Sequence, residues 1–349
     1  MSDIYAVAFS PDSKLLLLIS EGDWTARLWD TAAGELNARM GSYGSLFAFS
    51  QDSNLLALAS ESRIVIEVWK TATGRLQQEI HGGGGGITSI AFSHDSKLLA
   101  AGTGSSSNVR LWDTTTGQVR KILNGRGTCV TSVAFSPDSK VLGASTSEAV
   151  RLWDTTTWQL RQSFDIQDGS DSVAFSHDTQ LLVSVGAGPT KLWDTEKGQR
   201  RATIGALNIF RPSIVFSHDS KLLVIARSNG SVKIWDTATG RLQISLVGLE
   251  GKVCFSHDSK LLAICCDTEI RLWDTATWEL RQELSGHNPK DGNFVVFSAV
   301  AFSPDSKLLA SGQRVQGLLP QVTDDGNLSD YYTNVWLWHR VADEEVTGT

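Results

Sequence analysis

Short apolar runs alternate with polar turn residues along the whole chain. A typical run, residues 15–19, holds five apolar residues and ends at Ser20. Runs of this length bounded by Ser, Asp, Gly and Pro read as buried β-strands. The pattern also repeats. Phe-Ser recurs at Phe9, Phe49, Phe92, Phe135, Phe175, Phe216, Phe255 and Phe302, with spacings of 39–47 residues. A Trp follows each Phe, at Trp29, Trp69, Trp112, Trp153, Trp193, Trp235, Trp273 and Trp338. The separation is 18–20 residues in seven units and 36 in the last. A period near 40 residues points to stacked units that share their apolar surfaces.

Each unit predicts four strands, a to d. Strand a ends at Phe-Ser, as in Thr131 to Phe135. A turn such as Ser136-Pro137-Asp138-Ser139 follows, with Pro and Asp where a type I turn prefers them. Its Asp recurs in all eight units, from Asp12 to Asp305. Strand b is the Lys-Leu-Leu segment, and strand c ends at the Trp, as in Val109-Arg110-Leu111-Trp112. Asp-Thr-x-Thr-Gly then turns the chain into strand d. Gly34, Gly74, Gly117, Gly198 and Gly240 supply the positive φ expected there. Trp158 and Trp278 take that place in units four and seven, which costs roughly 1–2 kcal/mol each if the turn is unchanged.

Eight phased copies of Phe-Ser, Asp and Trp, six of the Trp followed by Asp, make the chain similar to the WD-repeat β-propeller family over essentially its whole length. The wording looks most like the propeller arrays of filamentous fungi, some of which are joined to NACHT-type nucleotide-binding domains in self/non-self recognition proteins. No GxxxxGK[ST] phosphate loop is present. The resemblance implies an all-β, eight-bladed β-propeller of four-stranded antiparallel blades. The alternative is seven regular blades and an irregular, incompletely closed eighth. It makes residues 1–349 one domain, although length alone suggests about two. The acidic tail 341–349 is the candidate outer strand of the last blade.

Composition narrows the role. Lys and Arg total 31 against 38 Asp and Glu, a net charge of −7, with no basic run for nucleic acid or anionic membrane. No apolar stretch approaches the ~20 residues of a membrane span. The N-terminus has no secretory pattern. Four Cys exclude a disulfide scaffold, and adjacent Cys265 and Cys266 point to opposite faces of a strand. A reduced, cytoplasmic, monomeric protein is the simple expectation.

Antiparallel strands place the a–b and c–d turns on one face and the b–c and d–a turns on the other, the top. The first set is nearly identical from copy to copy; the top set diverges. This divergence points to a top-face task. The resemblance adds a hydrogen-bonded tetrad of Trp, strand-b Ser or Thr, Gly-His and Asp. Here Gly-His occurs once, at Gly286-His287, so the Trp rings are expected to act mainly by packing. The largest departures are top-face insertions at 287–298 and 314–334. Loops beyond ~12–15 residues are commonly lids or binding loops. Trp24, Phe294, Phe297, Tyr331 and Tyr332 form a candidate aromatic patch with His287, Lys290, Arg314, Asp324 and Asp325 as polar neighbours. The leading expectation is a protein or peptide interaction platform. The alternative is a small-molecule binder or cyclase-type enzyme of fungal secondary metabolism, with its pocket under the 314–334 loop. A third is a fungal recognition module.

Other motifs read as structure. The glycine run 82–86 lacks the helix and Lys of a phosphate loop. His94, His177, His218 and His257 replace Pro in one turn per blade, too far apart to share an ion. The Arg before Leu-Trp-Asp (Arg27, Arg110, Arg151, Arg271) is a salt-bridge or stacking residue. No metal, cofactor or catalytic set is assigned.

Overall fold

The computed structural model describes residues 4–20, 25–41, 45–59, 64–166, 170–186, 188–206, 213–226, 231–247, 249, 251–266, 268–285, 295–315, 335–341 and 345–348. Among the described residues thirty-two strands form eight four-stranded sheets, each meandering in chain order a-b-c-d, and the strand pairings are antiparallel. The fold is an all-β, eight-bladed propeller. The blades span 4–40, 46–81, 87–124, 130–165, 172–206, 213–247, 253–285 and 295–348.

The chain divides into two compact units. One holds blades two to six. There strand b is buried along nearly its whole length, as in Val141–Thr146, because neighbouring blades cover both its faces. Strand d is mostly exposed but buries one side chain, such as Phe164 in Leu160–Asp165. That residue lies eleven positions after the Trp. Its counterparts Met40, Ile80, Leu123, Ile204, Leu246 and Leu284 are all apolar and at most 9% exposed. Phe164 packs with Leu182 of the next blade and stacks on Trp193, ring centroids 4.2 Å apart. Leu123 meets Leu142 and Trp153 in the same way. Within this unit blades two to five each set a knob into the next.

The other unit holds blades one, seven and eight. Leu284 of blade seven packs with Leu309 and Trp338 of blade eight. Blade eight meets blade one through Ala299 and Ala310 against Ile4, Val7 and Leu16. Its fourth strand, Glu345–Gly348, pairs with Val335–Val341. The register differs from the other blades. Trp153 faces Leu160, seven residues on, but Trp338 faces Gly348, ten residues on. His339, Arg340 and Val341 replace the Asp-Thr turn residues, so strand c runs longer before the chain reverses. Strands a and b of this blade are also long, Val295–Phe302 and Leu308–Val315. Residues 295–298 and 314–315, expected in loops, therefore belong to the ladder.

One set of bonds fixes every a–b turn. In all eight blades a buried Ser hydroxyl donates to the turn Asp at 2.5–2.6 Å. The same oxygen accepts the first strand-b N–H at 2.9–3.0 Å. The type I turn is followed by a residue at φ 58–64°: Ser in seven blades and Thr179 in blade five. This is the three-residue hairpin loop with its left-handed position, a feature the sequence reading lacked. Ser at that place has a use that Gly would not. Ser96 Oγ accepts the Asp52 N–H of the preceding blade at 3.1 Å. The bond recurs from Asp95 to Ser139, Asp178 to Ser220, Asp258 to Ser306 and Asp305 to Ser13, at 2.9–3.1 Å.

The c–d turns keep their geometry even where Gly is replaced. Trp158 and Trp278 hold φ 60° and 58°, close to the 59–68° of the five glycines. Their N–H groups bond the carbonyls of Asp154 and Asp274 at 2.8 and 2.9 Å. In these blades Arg161 and Arg281 also fork onto the turn Asp, adding charge-assisted bonds. Backbone N–H bonds, from Thr277 first, and the Arg281 guanidinium hold the Asp274 carboxyl down at about 2. Asp154 is lowered in the same way, with the Thr157 N–H as the largest cause.

Candidate functional site

The irregular segments of blades one and eight spring from strands that are joined by a hydrogen bond within the second unit. Val295 pairs with Val315 and Val296 with Arg314. The segment entering strand a and the segment leaving strand b of blade eight therefore share one rung. Ser298 donates its hydroxyl to the Ile4 carbonyl, and Ile4 pairs with Ser20, from which the b–c turn of blade one departs. Trp24, His287, Lys290, Phe294, Asp324, Asp325, Tyr331 and Tyr332 lie outside the described residues. Arg314 sits on the Leu308–Val315 strand. Phe297 was expected among exposed aromatics. It is 4% exposed and packs with Cys265, Ile270 and Leu284, because the longer ladder carries it into the core. It is a packing residue.

Hydroxyls on strand a link blades near these turns. Thr88 donates to the Val130 carbonyl at 2.6 Å, and Thr131 to that of Ser170. Ser298 to Ile4 repeats the arrangement in the other unit.

The remaining motifs resolve as structure. Gly83, Gly84 and Gly85 all have positive φ. A Cβ on Gly83 would strike the Arg110 guanidinium, and one on Gly85 the Ser105 side chain. Arg110 donates to the Gly83 carbonyl at 3.3 Å. The run is a tightly covered turn. Arg27 bonds Ser20, Arg151 bonds the Asn124 carbonyl at 2.7 Å, and Arg271 pairs with Glu269 and Glu283.

Polar partners hold the indoles of Trp193 and Trp69. Trp193 Nε1 donates to Ser184 Oγ at 2.9 Å, as the tetrad implies, and Trp69 donates to Glu67 at 3.2 Å. Strand-b Leu18, Leu58, Ala101, Ala144, Ile225 and Ile264 stand where Ser184 does, which is why the pairing is rare.

The histidines correct the expectation of wide separation. His177 and His218, from adjacent blades, have ring centroids 4.2 Å apart, and His177 Nδ1 donates to the Ser217 carbonyl at 3.2 Å. Burial holds His177 below the ordinary 6.5, against the opposing pull of Ser217 and Asp178. Burial also lowers His94. The folded chain then protonates at lower pH than the unfolded chain. This stability is complete above pH 6.5 and is lost as pH falls through the folded values. We expect the melting temperature to drop as pH falls below about 6.5 and His177→Gln to flatten that slope. Identical slopes in both proteins would remove His177 from the account.

All four cysteines are free thiols, and burial pushes the Cys254 thiol up to about 12. Among the described residues no helix is long and apolar enough to cross a membrane.

The WD domain, G-beta repeat family matches residues 1–30, 74–113, 117–154, 212–236, 251–274 and 278–318, more than half of the chain. The chain belongs to this WD-repeat family, whose propellers generally serve as protein-interaction scaffolds. Blades two and five lie largely outside the matched segments yet have the same strand order. A crystal structure of the computationally designed Ika8 protein is similar to the chain, with a TM-score of 0.72 over 89% of this chain and 93% of that one. At 23% identity the likeness concerns the fold alone. Comparison with curated proteins gives no match.

Proposed function

We propose that the chain is a non-enzymatic, cytoplasmic platform that binds a protein or peptide partner through the b–c and d–a turns of blades one and eight. The observation that carries this reading is the common origin of the irregular segments. The two insertions leave blade eight at one rung, Val295 with Val315, and Ser298, three residues further along the same strand, bonds Ile4 of the rung from which the b–c turn of blade one departs. Folding chemistry supports the contrast between the two sets of turns. The a–b and c–d turns are held by bonds that every copy needs, which leaves the other set free to specialise.

In this reading Trp24, Phe294, Tyr331 and Tyr332 supply apolar contact area. Arg314, Lys290, His287, Asp324 and Asp325 set charge complementarity, which governs partner choice and association rate. Deleting residues 316–332 is expected to abolish partner capture while leaving the melting temperature within about 2 °C. A Tyr331→Ala, Tyr332→Ala double variant is expected to weaken capture at least tenfold, since aromatic anchors dominate interfaces. Undiminished capture by the deletion variant sinks the proposal. Loss of a bound metabolite instead of a protein would transfer the site to a small molecule.

A further inference from the structure

Strand d ends each sheet, and among the described residues nothing pairs with its outer edge. Such an edge presents a row of backbone N–H and C=O groups to any other strand, and charged side chains are a usual guard against unwanted pairing. Six of the seven strands d that follow the repeat carry at least one ionised residue, from Arg39 in blade one to Arg281 and Glu283 in blade seven. The strand of blade six, Leu242–Val247, carries none. It departs from its counterparts at two further positions. Nine residues after the Trp the other blades have Ala, Gln or Lys, whereas blade six has the half-buried Ile244. Twelve residues after the Trp the others have Gly, His, Asn, Asp or Ser. Blade six has Val247, at 82% the most exposed large hydrophobic side chain among the described residues.

The order of residues along this edge says what fits it. From Leu242 to Leu246 apolar and polar residues alternate symmetrically about Ile244. An antiparallel strand of the same sequence can therefore meet it across a two-fold axis through Ile244. Leu242 then stands opposite Leu246 of the other copy, Ile244 opposite Ile244, and Gln243 opposite Ser245. Directly opposed residues share one face of a sheet, so apolar meets apolar on one face and amide meets hydroxyl on the other. Val247 falls opposite the aliphatic stem of Arg241. A slip of one residue would set Ile244 against Ser245 and lose this match. Blade one alternates in the same way but centres on Ala38 and carries Arg39.

We propose that the outer edge of blade six is a self-association surface. A second copy of this chain adds its own Leu242–Val247 strand antiparallel to the first, so that two blades form one continuous sheet across a two-fold axis. The pairing uses up the edge on both copies, and association stops at the dimer. The missing charges matter because each copy carries a net −7. At this edge two copies meet without opposing like charges or stripping water from ions. One strand pair lies at the low end of interface size, so the dissociation constant is expected on the order of 10–100 µM. The inference goes beyond the proposed top-face site, because none of the irregular segments of blades one and eight belongs to this strand.

The test is sedimentation equilibrium of the full chain from about 5 to 500 µM. A reversible monomer–dimer equilibrium is expected. Ile244→Lys sets two ammonium groups at the two-fold axis and removes the central apolar pair, and should weaken the dimer at least tenfold. Lys121 already holds this position in blade three, so the strand accepts the change, and a retained melting temperature checks the fold. Cross-linking with oxidised glutathione reads the register separately. Ile244→Cys should give a disulfide-linked dimer, because opposed Cα atoms lie about 4.5–5.5 Å apart. Gln243→Cys should not, because the two copies of residue 243 are diagonal neighbours; no native Cys lies on this strand. A chain that stays monomeric up to about 500 µM overturns the proposal, as does a dimer that Ile244→Lys leaves intact or equal cross-linking of the two Cys variants. Larger assemblies abolished by Ile244→Lys would overturn the two-fold pairing in favour of open-ended strand addition. A dimer that persists when residues 316–332 are deleted separates this edge from the top-face reading, and loss of the dimer on that deletion overturns it.

Discussion

Trp153→Ala is expected to destabilise the chain by about 3–5 kcal/mol, the range for removing a buried aromatic from a packed core. Trp29→Ala should cost about half as much or less. The two residues occupy the same repeat position on strand c. Trp153 is 3% exposed and closed in by Leu123, Leu142 and Leu111. Its loss opens a void that rigid neighbouring sheets cannot close. Trp29 already borders a cavity of about 210 Å3, so fewer contacts vanish with it. Urea unfolding of both variants measures the difference through the midpoint at constant slope. Equal losses would mean that the hole beside Trp29 is filled in solution.

Ser136→Ala is expected to cost about 1–3 kcal/mol, the penalty for stranding a buried polar group. Ser136 is fully buried. Its hydroxyl accepts the buried Val141 N–H at 2.9 Å and donates to Asp138 at 2.6 Å. Alanine leaves the N–H without that acceptor and frees the carboxylate to wander. Burial raises the Asp138 pKa, but the bonds from Ser136 and the Lys140 N–H outweigh it and hold it below the usual carboxylate value. Removing Ser136 should move it back up. Ser139→Gly, three residues away, makes the informative contrast. It relieves roughly 1–2 kcal/mol of left-handed strain but loses the bond from the Asp95 N–H, so the net change should be within about 1 kcal/mol of zero. A Ser139→Gly loss as large as that of Ser136→Ala would show that the blade-to-blade bond outweighs the turn.

The fold was legible because its evidence was redundant. Eight Phe-Ser and eight Trp fixed the strand phases, and Asp12 through Asp305 fixed one turn per unit. The Gly34-type turns were legible too, since positive φ has few occupants. The knob eleven residues after seven of the Trp was not singled out. It varies among Met, Ile, Leu and Phe and sits in a polar strand, so no single residue type marks it. The left-handed Ser after the turn was also missed. Ser-Pro-Asp-Ser satisfies a type I turn by itself, and nothing local demands the next φ. The His177–His218 contact depended on how closely neighbouring turns converge, which a spacing of 41 residues does not encode. Phe297 was misplaced because a ladder that runs a few residues longer looks, in sequence, like an insertion. Blade eight was hardest because its Trp-to-turn chemistry is gone, and with it the cue that sets register.

The bond from an Asp N–H to the next blade's Ser hydroxyl has a genetic consequence. Each blade carries the turn Asp and the hydroxyl residue of this joint, and the bond forms in five blade pairs within the two units. Unequal crossing-over between two copies would delete or duplicate a blade at the same phase. The recombinant would inherit matched joints on either side of the new junction, with no interface to be invented. Copy number in such a gene is then limited by the geometry of closure and not by compatibility between neighbours.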